Sequence, residues 1–181
     1  GWKSRIYCDN RKTLSYPNIR TFIRQSYTQL ILDDFGKPDL IAGVATGGIA
    51  QGALVAQELG VPFIYVRSSS KGHGLQNLIE GDFEKEHNVV VVEDLISTGG
   101  SSLKAVEALR DAGLNVKGVT AIFSYGFAEA EKAFKAANCP YRVLVNYDIL
   151  IEKALNQGAI SKDDIDSLRD WRVNPSTWGK K

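Results

Sequence analysis

Apolar residues recur with two different periods along the chain, and the two alternate. Short runs rich in β-branched residues occupy 40–44, 63–66, 88–93, 116–123 and 141–145, lengths that suit strands and fall short of helices. Between them, helix-spaced apolar positions cover 16–35 (Ile19, Phe22, Ile23, Leu30, Leu32), the Ala-rich 49–59, 103–112 and 128–137. Helical patterns close the chain at 148–155 and 162–171. Gly36, Gly60 and Gly113 stand where three of these helices should stop. Strand–helix alternation of this kind predicts one α/β domain, a parallel sheet with helices on both faces. Residues 67–82 break the rhythm, being largely polar and rich in glycine.

The strand at 88–93 leads into the most informative run, V-V-V-V-E-D-L-I-S-T-G-G-S-S from Val89 to Ser102. Four consecutive valines make a strand apolar on both faces, as in a buried parallel sheet. Glu93 and Asp94 stand at its end, and a hydroxyl- and glycine-rich turn then opens a helix. Backbone N–H groups at such a turn, with a helix N-terminus behind them, form a phosphate site. Ser97, Thr98 and Ser101 add hydroxyl donors. The two acids can accept hydrogen bonds from sugar hydroxyls or hold magnesium through water. A phosphate cradle beside diol acceptors points to a ribose 5-phosphate ligand. The run is neither a P-loop, since Gly100 is followed by Ser101 and not Lys, nor a dinucleotide fingerprint, since G-x-G-x-x-G spacing is absent. An ordinary strand–turn–helix would account for the valines and one glycine, but not for two acids followed so closely by S-T-G-G-S.

This run resembles the phosphoribosyl-pyrophosphate signature of the type I phosphoribosyltransferases. Together with three other segments it is most similar to the orotate branch of that family, over residues 2 to about 145. The resemblance implies a type I phosphoribosyltransferase-like parallel sheet flanked by helices, in one domain over 1–181 with a small N-terminal hood in about 1–15. It implies transfer of the phosphoribosyl group from phosphoribosyl pyrophosphate to orotate with Mg2+, in a cytoplasmic homodimer. Glu93, Asp94, Leu95, Ile96, Ser97, Thr98, Gly99, Gly100 and Ser101 would bind phosphoribosyl pyrophosphate.

The other three segments read as follows. A-G-V-A-T-G-G-I-A-Q-G, residues 42–52, places a glycine-rich turn between strand and helix, either a second anion nest or a tight-packing turn. It resembles the family's pyrophosphate loop, in which the peptide after Ala tends to be cis, and so implies contacts from Ala45 and Thr46; Gly47 stands where many members have Lys. R-S-S-S-K-G-H-G, residues 67–74, is a small-residue loop carrying Arg67, Lys71 and His73. Alone it reads as a solvated polar loop. Beside the signature it resembles the family's catalytic loop, which crosses a twofold dimer, with Ser68 in place of a second basic residue. Lys71, His73 and Asp94 would then be the catalytic residues, with Arg67 also binding the pyrophosphate. W-K-S-R-I-Y-C-D-N-R-K-T opens the chain with the cations Lys3, Arg5, Arg11 and Lys12. It reads equally as an exposed basic edge strand or, by resemblance, as the hood strand that covers the base. Orotate would meet Lys3, Tyr7 and Ser97, although Arg5 replaces the family's Pro.

Family members often bind the orotate carboxylate with an Arg after the strand at 116–123. Here that stretch, A-I-F-S-Y-G-F-A-E-A, has none. Tyr125-Gly126-Phe127, residues upstream of Gly1, Ser97 and the hood around Lys3 to Tyr7 are the candidates for that role. The chain opens at Gly1 and contains no Met, so upstream residues are expected. Composition limits the alternatives. Net charge is +1, with 44% hydrophobic and 24% charged residues, so no strong field points to nucleic acid or membrane. No signal-peptide pattern opens the chain and no run approaches the length of a membrane span. Two cysteines, Cys8 and Cys139, fit a reducing cytosol better than a disulfide framework, and as catalytic thiols they lack all but two histidines as partners. The rivals are a purine-type enzyme of the same fold, which Trp171 and Trp178 leave open, and a non-enzymatic phosphoribosyl-pyrophosphate-binding regulator, for which no basic surface or spare domain is visible.

Overall fold

A computed structural model describes residues 4, 6–69 and 78–178. Six strands form one sheet in the order β3-β2-β1-β4-β5-β6. They are β1 (Leu40–Val44), β2 (Phe63–Val66), β3 (Ile79–Glu80), β4 (Asn88–Ile96), β5 (Asn115–Ser124) and β6 (Tyr141–Asn146). The helices are α1 (Pro17–Phe35), α2 (Gly47–Leu59), α3 (Gly100–Asp111), α4 (Ala128–Ala136), α5 (Tyr147–Asn156) and α6 (Lys162–Val173). The five expected strands pair in parallel, and β3 adds a short antiparallel edge on β2. That strand was not expected from the polar segment that holds it. Ile79 and Glu80 pair with Val66 and Tyr65 through the backbone, and two residues carry no readable period.

Val89, Val90, Val91 and Val92 are fully buried and alternate between two cores. Val89 and Val91 join Leu40, Ala42, Ile64 and Leu109 on the α3 side. Val90 and Val92 join Ile41, Val55, Tyr27 and Ile31 on the side of α1 and α2. Each buried valine contributes roughly 1.5–3 kcal/mol relative to exposure. Helix α1 turns a different face inward than its apolar residues indicate. It buries Ile23, Tyr27 and Ile31, at i, i+4 and i+8, while Ile19, Phe22 and Leu32 are exposed. Tyr27 lies on the core face because its hydroxyl has an interior partner, the Glu93 carbonyl at 2.6 Å.

The N-terminal segment is no edge strand in its described part. Residues 6–9 form neither strand nor helix, and Asn10–Ser15 form a 3-10 helix. Asn10 holds it to the sheet, its amide donating to the Asp94 carbonyl at 2.7 Å, and the Tyr125 hydroxyl donates to the Ile6 carbonyl. This N-terminal segment thus lies over the ends of β4 and β5.

Strand order reverses between β1 and β4: the chain runs from β1 outward to β2, then returns to place β4 on β1's other side. Loops leaving two such parallel strands diverge, which opens a crevice at their C-terminal ends. Helix α2 begins directly above that point and lies close on β1. A methyl group at Gly48 would collide with the Val92 carbonyl, and one at Gly43 would sit 2.8 Å from the Gly48 carbonyl oxygen. These glycines are required by backbone contact.

Candidate active site

The crevice holds a cavity of about 560 Å³, walled by three parts of the chain. Ala45, Thr46 and Gly47 come from the turn after β1; Glu93, Asp94, Leu95, Ser97 and Ser101 from the end of β4 and the turn into α3. Tyr7, Cys8 and Arg11 of the N-terminal segment, with Tyr125 after β5, supply the rest.

The turn after β1 contains a cis peptide between Ala45 and Thr46, and Ala45 N–H donates to the Val66 carbonyl at 2.8 Å. Gly47 follows against Asp94, and a side chain there would collide with the Asp94 carboxylate. The two turns therefore pack on one another, and the absent Lys is replaced by room for an acid. Gly99, at φ 84°, caps α3 from the left-handed region. A side chain at Gly99 would collide with the Phe134 ring.

The two acids have different environments. Glu93 is buried, with one carboxylate oxygen accepting from the Asp94 N–H at 3.0 Å and the other 3.5 Å from the hydroxyls of Ser101 and Ser102. Burial, then the neighbouring Asp94 carboxylate, pushes the Glu93 carboxyl up to about 8. Asp94 is partly exposed and faces the cavity. At neutral pH Glu93 is therefore mainly a protonated donor and acceptor, while Asp94 is the acid that is partly exposed to the cavity.

This has a consequence for stability. Glu93 titrates near 4.5 when unfolded and near 8 when folded, so between those values the native state holds the extra proton. Stability conferred by that proton is present at low pH and is lost as pH rises through about 8. Unfolding free energy from urea titration is expected to fall by roughly 2–4 kcal/mol between pH 5 and 8, and Glu93→Gln should flatten that slope. An unchanged slope in the variant would place the titration elsewhere.

Of the residues expected in the site, Ala45, Thr46, Glu93, Asp94, Leu95, Ser97, Ser101 and Tyr7 line one cavity. Ile96 is buried in the core and offers the site only its backbone, its carbonyl accepting from the Tyr125 N–H. Thr98 and Gly99 form the turn without lining that cavity, and Gly100 lines an adjoining one of about 750 Å³. Arg67 also faces the adjoining cavity, which shares Ala45 and Ser101 with the first, and pairs with Glu80 at 3.3 Å. Lys3, Lys71 and His73 lie outside the described residues. Cys8, Arg11 and Gly47 line the cavity without having been placed among the expected site residues, and Tyr125, one of the candidates for meeting the base, lines it too. For Arg11 the signal was its place among the four cations of the opening segment. The Cys8 thiol is pushed up by burial and by Asp94 and Asp9, and the Cys139 thiol by burial, so neither is poised as a thiolate nucleophile. Trp171 is buried against Tyr125, Phe127 and Tyr147, a core role that removes it as a base-reading aromatic.

A parallel sheet with a phosphate-binding turn and paired acids at its switch point defines a phosphoribosyl transferase domain, and the family model of that description matches residues 13–149. At 58% identity over 178 residues, 98% of this chain and 84% of the relative, the sequence is similar to the orotate phosphoribosyltransferase of Bacteroides thetaiotaomicron. The chain belongs to the orotate phosphoribosyltransferase family. Its fold is similar to that of the Aeropyrum pernix orotate phosphoribosyltransferase (TM-score 0.77, 29% identity, 87% of this chain and 86% of that one). It is also similar to the Mycobacterium tuberculosis enzyme in complex with 5-phospho-alpha-D-ribosyl 1-diphosphate (TM-score 0.65, 26% identity, 80% and 83%).

Proposed function

We propose that this chain transfers the 5-phosphoribosyl group of phosphoribosyl pyrophosphate to orotate, giving orotidine 5'-monophosphate and pyrophosphate in pyrimidine biosynthesis. The observation that carries this reading is the single cavity in which the Glu93–Asp94 pair and the α3 turn meet the Ala45–Gly47 turn beneath the hood. The α3 turn takes the 5-phosphate on its N–H groups and the Ser97 and Ser101 hydroxyls. Glu93 and Asp94 accept from the ribose diol, and the turn at Ala45 and Thr46 takes the pyrophosphate.

The C1–oxygen bond to pyrophosphate breaks as a bond from the orotate ring nitrogen to C1 forms. Positive charge develops on the sugar and negative charge on the leaving group. Asp94 stabilises the first; Lys71, with Arg67 and His73, neutralises the second. Asp94, beside the Ala45–Gly47 turn, fits a magnesium ion held through water. Bound there, magnesium would supply further neutralisation of the pyrophosphate. We propose that the segment at 67–74 keeps water from the activated sugar and that it serves the neighbouring subunit of a homodimer. Two free cysteines, Cys139 buried, support a cytoplasmic setting.

Incubation with magnesium, phosphoribosyl pyrophosphate and a panel of bases tests the reading. Orotate should be used far better than uracil, hypoxanthine or adenine, by roughly a thousandfold or more in kcat/KM, because a site built for a carboxylate leaves its cation unpaired with the others. Efficient use of a purine with none of orotate would overturn the base assignment and leave phosphoribosyl transfer standing.

A further inference from the structure

Orotate carries a carboxylate, and the cavity already contains two acids. An anionic base entering beside Asp94 needs a cation within reach, and among the described residues lining the cavity Arg11 is the one that carries positive charge. The turn after β5 offers none: Tyr125 turns its hydroxyl to the Ile6 carbonyl, and Phe127 is buried. Arg172 approaches Gly126 from behind but is paired with Asp148, lies over the Tyr147 ring and lines a separate cavity between α5 and α6.

Arg11 is held for such a role. Its Nε donates to Asp9 at 2.9 Å, and its Nη2 lies 3.4 Å from the Tyr7 hydroxyl. That leaves the fork of terminal amino groups without a carboxylate partner among the described residues. The 3-10 helix that carries it is tied to the signature strand through the Asn10 amide, which donates to the Asp94 carbonyl. A guanidinium whose Nε is already occupied presents its remaining two amino groups as a planar pair, the geometry a carboxylate accepts.

We propose that Arg11 binds the carboxylate of orotate and sets the preference for orotate over uracil. The inference rests on the reading of the chain as an orotate phosphoribosyltransferase and adds the residue that reads the base. It differs from the assignment of Lys3 to that role, and one experiment separates the two.

Arg11→Gln, Arg11→Lys and Lys3→Ala are assayed with the unaltered protein for the KM of orotate and of phosphoribosyl pyrophosphate, for kcat, and for uracil use. Arg11→Gln is expected to raise the orotate KM by roughly 10- to 100-fold, the loss of a charge-assisted pair. The KM for phosphoribosyl pyrophosphate and the weak use of uracil should stay near their starting values. Arg11→Lys should recover part of the loss, because it keeps the charge and forfeits the fork. An unchanged orotate KM in Arg11→Gln, a rise in both substrates' KM together, or an orotate-only rise confined to Lys3→Ala would each overturn the assignment while leaving the functional reading intact. No turnover of orotate by the unaltered protein would overturn that reading, and the Arg11 assignment with it.

Discussion

Asp94→Asn should leave a folded protein whose turnover is reduced by roughly two to three orders of magnitude, the usual cost of losing one preorganised electrostatic contact to a transition state. The substitution is nearly isosteric, and the side chain sits on the cavity wall against Gly47 and outside either apolar core. Its backbone carbonyl keeps the Asn10 amide whatever the side chain is. The charge is what disappears. Glu93 does not replace it, because its carboxyl stays buried, held at the Asp94 N–H and beside the Ser101 and Ser102 hydroxyls. If the charge acts on the cationic sugar, kcat and kcat/KM should fall together. Steady-state assays, with circular dichroism as a control for folding, decide the point. Near-normal turnover would remove Asp94 from the chemistry and leave it a diol contact only.

Much of this site is legible in sequence because its parts are local. Four valines demand a two-faced core, and S-T-G-G-S between a strand and a helix has few uses other than an anion. What sequence reading misses is set by contacts between distant segments. Strand β4 continues through Leu95 and Ile96, past the acids that seemed to end it, because those residues pair with Phe123 and Ser124 on β5. Gly47 looks like the loss of a lysine until Asp94 is seen to fill the space. Arg11 looks like a surface charge until the 3-10 helix, which has no apolar period of its own, is folded against β4 by Asn10. Tyr27 is hidden among the apolar residues of α1 because its partner, the Glu93 carbonyl, is 66 positions away.

A mixture of two inactive proteins, Lys71→Ala and Asp94→Asn, should regain activity once their subunits exchange. The loop bearing Lys71 leaves the sheet after Arg67 and returns at Leu78, where the Arg67 N–H donates to the Leu78 carbonyl at 2.8 Å. The Arg67–Glu80 pair then fixes its base at the edge of the sheet, two strands away from β4. Both of its described ends, Ser69 and Leu78, line the adjoining cavity and not the one that holds Asp94. An edge loop is well placed to serve a neighbour's crevice. In a hybrid dimer, one site would combine Asp94 of one chain with Lys71 of the other, and the second site would lack both. Random exchange makes half of the dimers hybrid, so about a quarter of all sites should work. Activity followed against mixing time, with exchange verified by mass-tagged subunits, reads this directly. Recovery toward that fraction would establish a site shared between two chains. Verified exchange without recovery would mean that each crevice is closed by its own loop, and the dimer would then have to be justified on other grounds.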